Sequence, residues 1–268
     1  MESNRQMNDW IVRYGFLLKK RNSDKQKDKF IQTFLSDVLN IRDDINVIEI
    51  EEKKRKYHNI YIGDVSKADK IISTYFDTPI VSFGDYSFTD TEKNKRNTLT
   101  RIAFESVATL CIGLGIFFFL TRVFEGTLLT TVLTVFALAF FYVFNGIVKG
   151  RASSKTQVRN TSSLVLVLSM LSKYKNNKKV AFAIVDGGCT NKIGLVALRN
   201  NVKAQSKIYE LDSVGANVAL TVTEDSNQKS LKIYPDLDSL GNAILSEKID
   251  DVLLTRQRQK IKNILEER

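Results

Sequence analysis

The chain has 268 residues, 43% hydrophobic and 26% charged, with a formal net charge of +10. That length admits one substantial domain or two small ones, and the charge, set in an ordinary globular composition, gives no ground for a nucleic-acid partner. Two cysteines in unlike contexts, Cys111 and Cys189, exclude a disulfide framework, and a single histidine, His58, excludes a His dyad or a His-rich metal site.

From the start, Trp10, Ile11, Tyr14, Leu17 and Leu18 recur at helical spacing, and so do Phe30, Ile31, Phe34, Leu35, Val38 and Leu39. Two amphipathic helices are expected, joined by a charged connector from Lys19 to Lys29. The stretch WIVRYGFLL is broken by Arg13 and too short for a span, so no cleavable signal is expected. INVIEIEE and YHNIYIGD alternate as strands of an antiparallel hairpin around the basic run Lys53 to Lys56, and KIISTYF is a third strand leading into Asp77-Thr78-Pro79.

Two uninterrupted apolar runs follow, at about 102–120 and 127–148, each long enough to cross a bilayer. The connector from Thr121 to Gly126 is short enough to force a tight helical hairpin. Lys93, Lys95, Arg96 and Arg101 precede the first run, while Lys149, Arg151, Lys155 and Arg159 follow the second and the connector holds only Arg122. That asymmetry places both termini in the cytoplasm. Glu105 reads as a snorkelling or partner-facing carboxylate, and Cys111 and Gly115, with Gly113 between them, as small residues suited to helix packing.

Beyond the hairpin, NTSSLVLVLSMLSKY reads as a helix with an Asn-Thr-Ser start, VAFAIVD as an interior strand, NKIGLVALRNN as a helix, and SKIYELD and ANVALTVT as strands. The tail from Leu237 is mostly helical. The alternation predicts a three-layer α/β domain with a mixed sheet, assembled from residues 1–95 and 151–268 and interrupted by a transmembrane hairpin at 96–150.

ISTYFDTP, RNTSSLVLVLSML, VAFAIVDGG and IYELDSVG stand in the order and context of four segments of the M28-type zinc aminopeptidases, and the chain resembles that superfamily over roughly 60–89 and 158–222. In the family the segments carry His-x-Asp-Thr, Asp-Asn-x-Ser-Gly, Asp-Gly-Glu-Glu and Leu-Asp-Met-x-Gly, and a last His comes from near the C-terminus. The resemblance implies two zinc ions held by His and carboxylates, with a Glu taking a proton from metal-bound water.

This sequence departs at most of those positions. Tyr75 replaces the first metal-binding His, and Asp77 keeps the place of the residue that orients it. Arg159 falls at the bridging Asp, with Asn160 beside it. Gly188 and Cys189 replace the Glu pair after Asp186-Gly187, Asp212 matches a ligand, and the final His has no counterpart. The resemblance therefore implies a degenerate cleft of Tyr75, Asp77, Arg159, Asn160, Asp186, Gly188, Cys189 and Asp212, with no catalytic residue, metal or cofactor. The expected partners are the lipid bilayer and a peptide or membrane protein, in an accessory or immunity-type role.

Two alternatives stay open: an active membrane-anchored metallopeptidase holding zinc in a rearranged site of Asp77, Asp186, Asp212 and Cys189, or a structural subunit of a membrane complex. Plainer roles stand beside these. The three acids can cap strand ends, His58 can be an exposed strand residue, and Cys189 has no nearby histidine to activate it. The basic runs at Lys53 to Lys56 and Lys173 to Lys179 read as solvated turns that also suit anionic headgroups.

Overall fold

The computed structural model describes residues 2–53, 55–153, 156–225, 230–236 and 248–267. They form two compact units, one made of Met1–Pro79 with Ser153–Arg268, the other of Ile80–Ala152. The first begins with α1 (Glu2–Val12), which runs into a π-helical turn (Arg13–Leu17), followed by α2 (Asp24–Leu39). The connector expected from Lys19 to Lys29 is shorter than its charge implied. Helix α2 starts at Asp24 because Gln26 Oε1 accepts the backbone N–H groups of Asn22 and Ser23, at 3.2 and 3.3 Å, and closes its first turn.

Strands β1 (Ile45–Glu52), β2 (Arg55–Ile62) and β3 (Lys70–Tyr75) follow; after the second unit come a further π-helical turn (Gln157–Thr161), α5 (Ser162–Leu171), β4 (Val180–Val185), α6 (Ile193–Asn201), β5 (Lys207–Leu211), β6 (Leu220–Asp225), β7 (Ser230–Pro235) and α7 (Asp251–Glu267). The seven strands make one mixed sheet in the order β1-β2-β4-β3-β5-β7-β6. Strands β4, β3, β5 and β7 run parallel, and β1, β2 and β6 are antiparallel to their neighbours. The first part of the C-terminal tail, 237–247, lies outside the described residues.

Side chains of β3 alternate between two packed faces. Ile71 and Tyr75 meet Ala181, Ala183, Val185 and the α6 residues Leu195 and Leu198. Helix α5 packs against β3 and is flanked by α1 and α7, which completes three layers. Every residue of α5 except Ser169 is buried, so its continuous apolar run marks an interior helix with no solvated face. Chain order moves from β3 to β4 on one side and then to β5 on the other, so β3 is a topological switch point. In open α/β sheets the crevice at the carboxyl ends of such strands is where function collects.

The second unit contains α3 (Thr91–Val123) and α4 (Gly126–Val148), both long and apolar enough to cross a membrane. Asp90 caps α3 by accepting the Lys93 N–H at 2.8 Å, so the helix begins well before its apolar run. It also continues to Val123, which reduces the expected six-residue connector to Phe124 and Glu125. The close helix approach is made by Gly113 instead of Cys111 and Gly115: a Cβ on Gly113 would lie 2.9 Å from Phe140 Cδ2, whereas nothing stands within 4 Å of one on Gly115, and Cys111 is exposed. Glu105 faces Arg101 Nε and an Arg151 guanidinium nitrogen, each at 2.9 Å, and so is paired within the hairpin.

Candidate functional site

The carboxyl ends of β3, β4 and β5 bring Tyr75, Asp77, Asp186, Gly188, Cys189 and Asp212 to one edge of the sheet, and the second π-helical turn adds Arg159 and Asn160. Asp212, directly after β5, is fully buried. Its Oδ1 accepts the Tyr75 hydroxyl at 2.7 Å and the Ser213 hydroxyl at 2.9 Å, and its Oδ2 lies 3.1 Å from Lys232 Nζ. Burial works against the charge of this carboxyl, but Lys232, the Tyr75 hydroxyl and Arg159 outweigh it and hold the Asp212 pKa below the ordinary value.

Lys232 was invisible to the sequence reading because β7 was not among the expected strands. Its signal is the alternation of SLKIYP, in which a lysine falls on the buried face beside β5. At 4% exposure it is an amine placed to neutralise a buried acid.

Tyr75 and Gly188 are complementary. A Cβ on Gly188 would fall 2.5 Å from Tyr75 Cγ and closer still to its Cβ, so the tyrosine fills the space that any side chain at 188 would need. The residues at 75 and 188 are thus one packing solution. Asn160, expected at a helix start, lies inside the π-helical turn. Its amide donates to the carbonyls of Tyr75 and Asp77 at 3.0 and 3.1 Å, and its Oδ1 accepts from Arg21. The insertion of one residue per turn rotates this side chain away from its own helix and onto the end of β3.

Arg21 is the second residue missed by sequence reading, where it sat in a nominal connector. It is completely buried, and it also donates to the carbonyls of Phe76 at 2.6 Å, Leu18 at 2.7 Å and Tyr14 at 3.0 Å. Burial lowers its pKa to about 10, with the field of Cys189 and Asp77 acting in the opposite direction. A third basic residue, Lys27 of α2, reaches Asp186 Oδ1 at 2.7 Å, and the other oxygen of Asp186 faces the His58 N–H at 3.4 Å. His58 itself is half-buried, with Nε2 3.5 Å from Glu49, and not an exposed strand residue.

Asp77 accepts the Cys189 N–H at 3.0 Å, and the Cys189 thiol donates to the Asp77 carbonyl at 3.2 Å. Burial raises the thiol pKa well above its ordinary value, with Asp77 adding to the shift, so Cys189 is a structural donor and not an activated nucleophile. It also lies in the turn before α6, not at that helix's start.

Burial and, second, the charge of Asp186 push the Asp77 pKa up to about 7. The folded chain therefore keeps a proton between roughly pH 4 and 7 that the unfolded chain has released, and stability from this group falls as pH rises through that window, by on the order of 4 kcal/mol in full. Asp77→Asn, whose amide oxygen still accepts from Cys189, is expected to flatten this part of the thermal stability profile. Glu210, which burial also pushes upward, retains its own share. An unchanged slope in a melting series across this pH range would remove Asp77 as its cause.

No protein-family model matches the chain, and no curated protein matches it. Among solved structures it is similar to the glutaminyl cyclase of Porphyromonas gingivalis, with a TM-score of 0.56 and 8% identity over 99% of this chain and 96% of that one. It is equally similar to a Zn-dependent exopeptidase of Parabacteroides distasonis, with a TM-score of 0.55 and 10% identity over 99% and 97%. The chain shares the fold of these two proteins. At such identities the likeness concerns the fold, and the chemistry has to be read from the residues present.

Those residues do not fit a two-zinc centre of the kind the resemblance implies. Asp212, which the resemblance matches to a ligand, has both oxygens engaged, one of them by a buried ammonium. Asp186 is likewise paired with Lys27. Among the described residues, no three His, Cys, Asp or Glu side chains come together as a metal-binding group.

Proposed function

We propose that the chain is a membrane-anchored, catalytically inactive member of the exopeptidase-like fold whose domain binds a membrane protein partner or a peptide. The observation that carries this reading is the closure of Asp212 by Tyr75 and Lys232, which puts protein cations and hydroxyls where metal chemistry needs open carboxylates. The anchor rests on α3 and α4, two apolar helices with basic flanks, which together form a two-span hairpin with both termini and the α/β domain on the cytoplasmic side. Apolar side chains such as Leu114, Phe118, Leu138 and Phe141 stand exposed along them, and a bilayer or an apolar partner would cover these.

The test is metal analysis and aminoacyl-substrate hydrolysis on the full chain purified in mild detergent, with and without added zinc. The expected result is zinc far below one ion per chain and no hydrolysis above a Tyr75→Ala, Asp212→Ala control. Stoichiometric zinc that is lost in Asp212→Ala, together with turnover, would overturn the reading in favour of a rearranged metallopeptidase. Affinity purification from native membranes then identifies the partner.

A further inference from the structure

The segment Gly15–Asn22 lies at the place where the polypeptide leaves the α/β unit for the apolar hairpin and returns from it. The two crossing points are adjacent, since Ser153 N–H donates to Pro79 O at 2.8 Å. On the outgoing side, Thr78 Oγ1 accepts the Arg21 N–H at 2.9 Å, and the Thr78 N–H donates to Arg21 O at 3.4 Å. On the returning side, the Thr156 hydroxyl donates to Lys19 O at 3.4 Å, and Gly15 packs against Gln157. Residues 15–22 thus touch both the outgoing and the returning segment, a collar on one side of the exit.

The outer surface of that collar is apolar. Leu17 is 75% exposed, Phe16 48%, and Val12, one turn earlier, 51%, although the same segment buries Tyr14 and Leu18 completely or nearly so. Basic residues adjoin them: Lys20 is exposed and Lys19 half-buried. Arg13 is already paired with Asp37 and does not count toward this surface.

We infer that Phe16, Leu17, Lys19 and Lys20 form a membrane-interface contact, with the two apolar side chains inserted at the headgroup boundary and the lysines bound to anionic lipid. This rests on the reading of α3 and α4 as spans. Ser153 stands only five residues past Val148, the end of α4, a length that reaches at most about 18 Å when fully extended. The collar is therefore held near the bilayer surface by the covalent chain. An exposed Phe-Leu pair followed by two lysines has the composition of an interfacial anchor, apolar side chains inward and cations at headgroup depth.

Tryptophan depth-quenching in reconstituted vesicles tests this on the full chain. The one native tryptophan, Trp10, is 5% exposed and gives the baseline. Leu17→Trp in phosphatidylglycerol-containing vesicles is expected to lose about half of its added fluorescence to lipids brominated near the headgroup, as an interfacial side chain does. Lys178→Trp, exposed in the turn before β4, is expected to lose none, and Lys19→Glu with Lys20→Glu is expected to reverse most of the Leu17→Trp quenching. Leu114→Trp in α3, probed with deeply brominated lipid, reports separately on the span.

If Leu114→Trp is quenched and Leu17→Trp is not, the collar inference is wrong while the membrane reading stands. If neither is quenched, both fail.

Discussion

Replacing Arg21 with alanine is expected to cost about 4–5 kcal/mol and to lower the melting temperature of the α/β unit by roughly 10 °C or more. The guanidinium joins three segments far apart in sequence. It binds carbonyls of the first π-helical turn and its end at Tyr14 and Leu18, the end of β3 at Phe76, and the second π-helical turn through Asn160. It also lies 5.3 Å from the centre of the Phe30 ring. Truncation strands these acceptors in a site with no exposed surface, and a buried acceptor without a donor loses more than the net value of the bond it made.

Lysine is not an adequate substitute. Its single ammonium cannot fork to acceptors in four directions, so Arg21→Lys is expected to recover less than half of the loss. The readout is the fluorescence of Trp10, buried in α1, during thermal unfolding of the full chain in detergent. A melting temperature within about 2 °C of the parent for Arg21→Ala, an effect the size of a surface substitution, would show that the bonds to Arg21 are replaceable.

The architecture was legible in the sequence where periodicity is strong. Alternating β1 and β2, the apolar runs of β3 and β4, and the continuous apolar α5 each carry a local signal that survives folding. The candidate site was legible except for the basic residues Arg21, Lys27 and Lys232. Asp77, Asp186 and Asp212 follow strands and could be found by their position, but the cations beside them come from elements distant in sequence: Lys27 from α2 pairs with Asp186, Lys232 from β7 pairs with Asp212, and Arg21 from a loop holds Asn160. A lysine in a connector and a lysine that neutralises a buried carboxylate look alike until the sheet is assembled. The helix start at Asp24 could have been read from the Ser-x-x-Gln pattern at Ser23 and Gln26, which the surrounding charge concealed.

The two π-helical turns carry no comparable signal. They meet through Tyr14 O, which accepts the Thr161 hydroxyl at 3.3 Å, and through the close packing of Gly15 on Gln157. Tertiary contact, and not local propensity, selects the wider turn there. The consequence is that Asn160 faces the strand ends while Tyr75 takes Asp212, so these side chains act as a hydrogen-bonded plug.

That plug sets the second large effect. Gly188→Glu, which places an acid where the resemblance implies one, is expected to destabilise the domain by about 3 kcal/mol or more instead of moving it toward metal binding. The new Cβ would overlap the Tyr75 side chain at its root, where no rotamer change of the glutamate can relieve it. Tyr75 would have to leave, which breaks its 2.7 Å bond to Asp212 and opens the carboxylate that Lys232 now neutralises. The clash therefore predicts coupling: in the Tyr75→Gly, Gly188→Glu double variant, which removes the Cβ and Cγ that the new side chain would strike, about 1–2 kcal/mol should return relative to the sum of the single changes. Additive effects in a double-mutant cycle of melting temperatures would mean that positions 75 and 188 do not share space. Zinc binding is expected in none of the three variants, because Lys232 and Arg159 still face Asp212 and the bridging carboxylate and distal histidine are still missing.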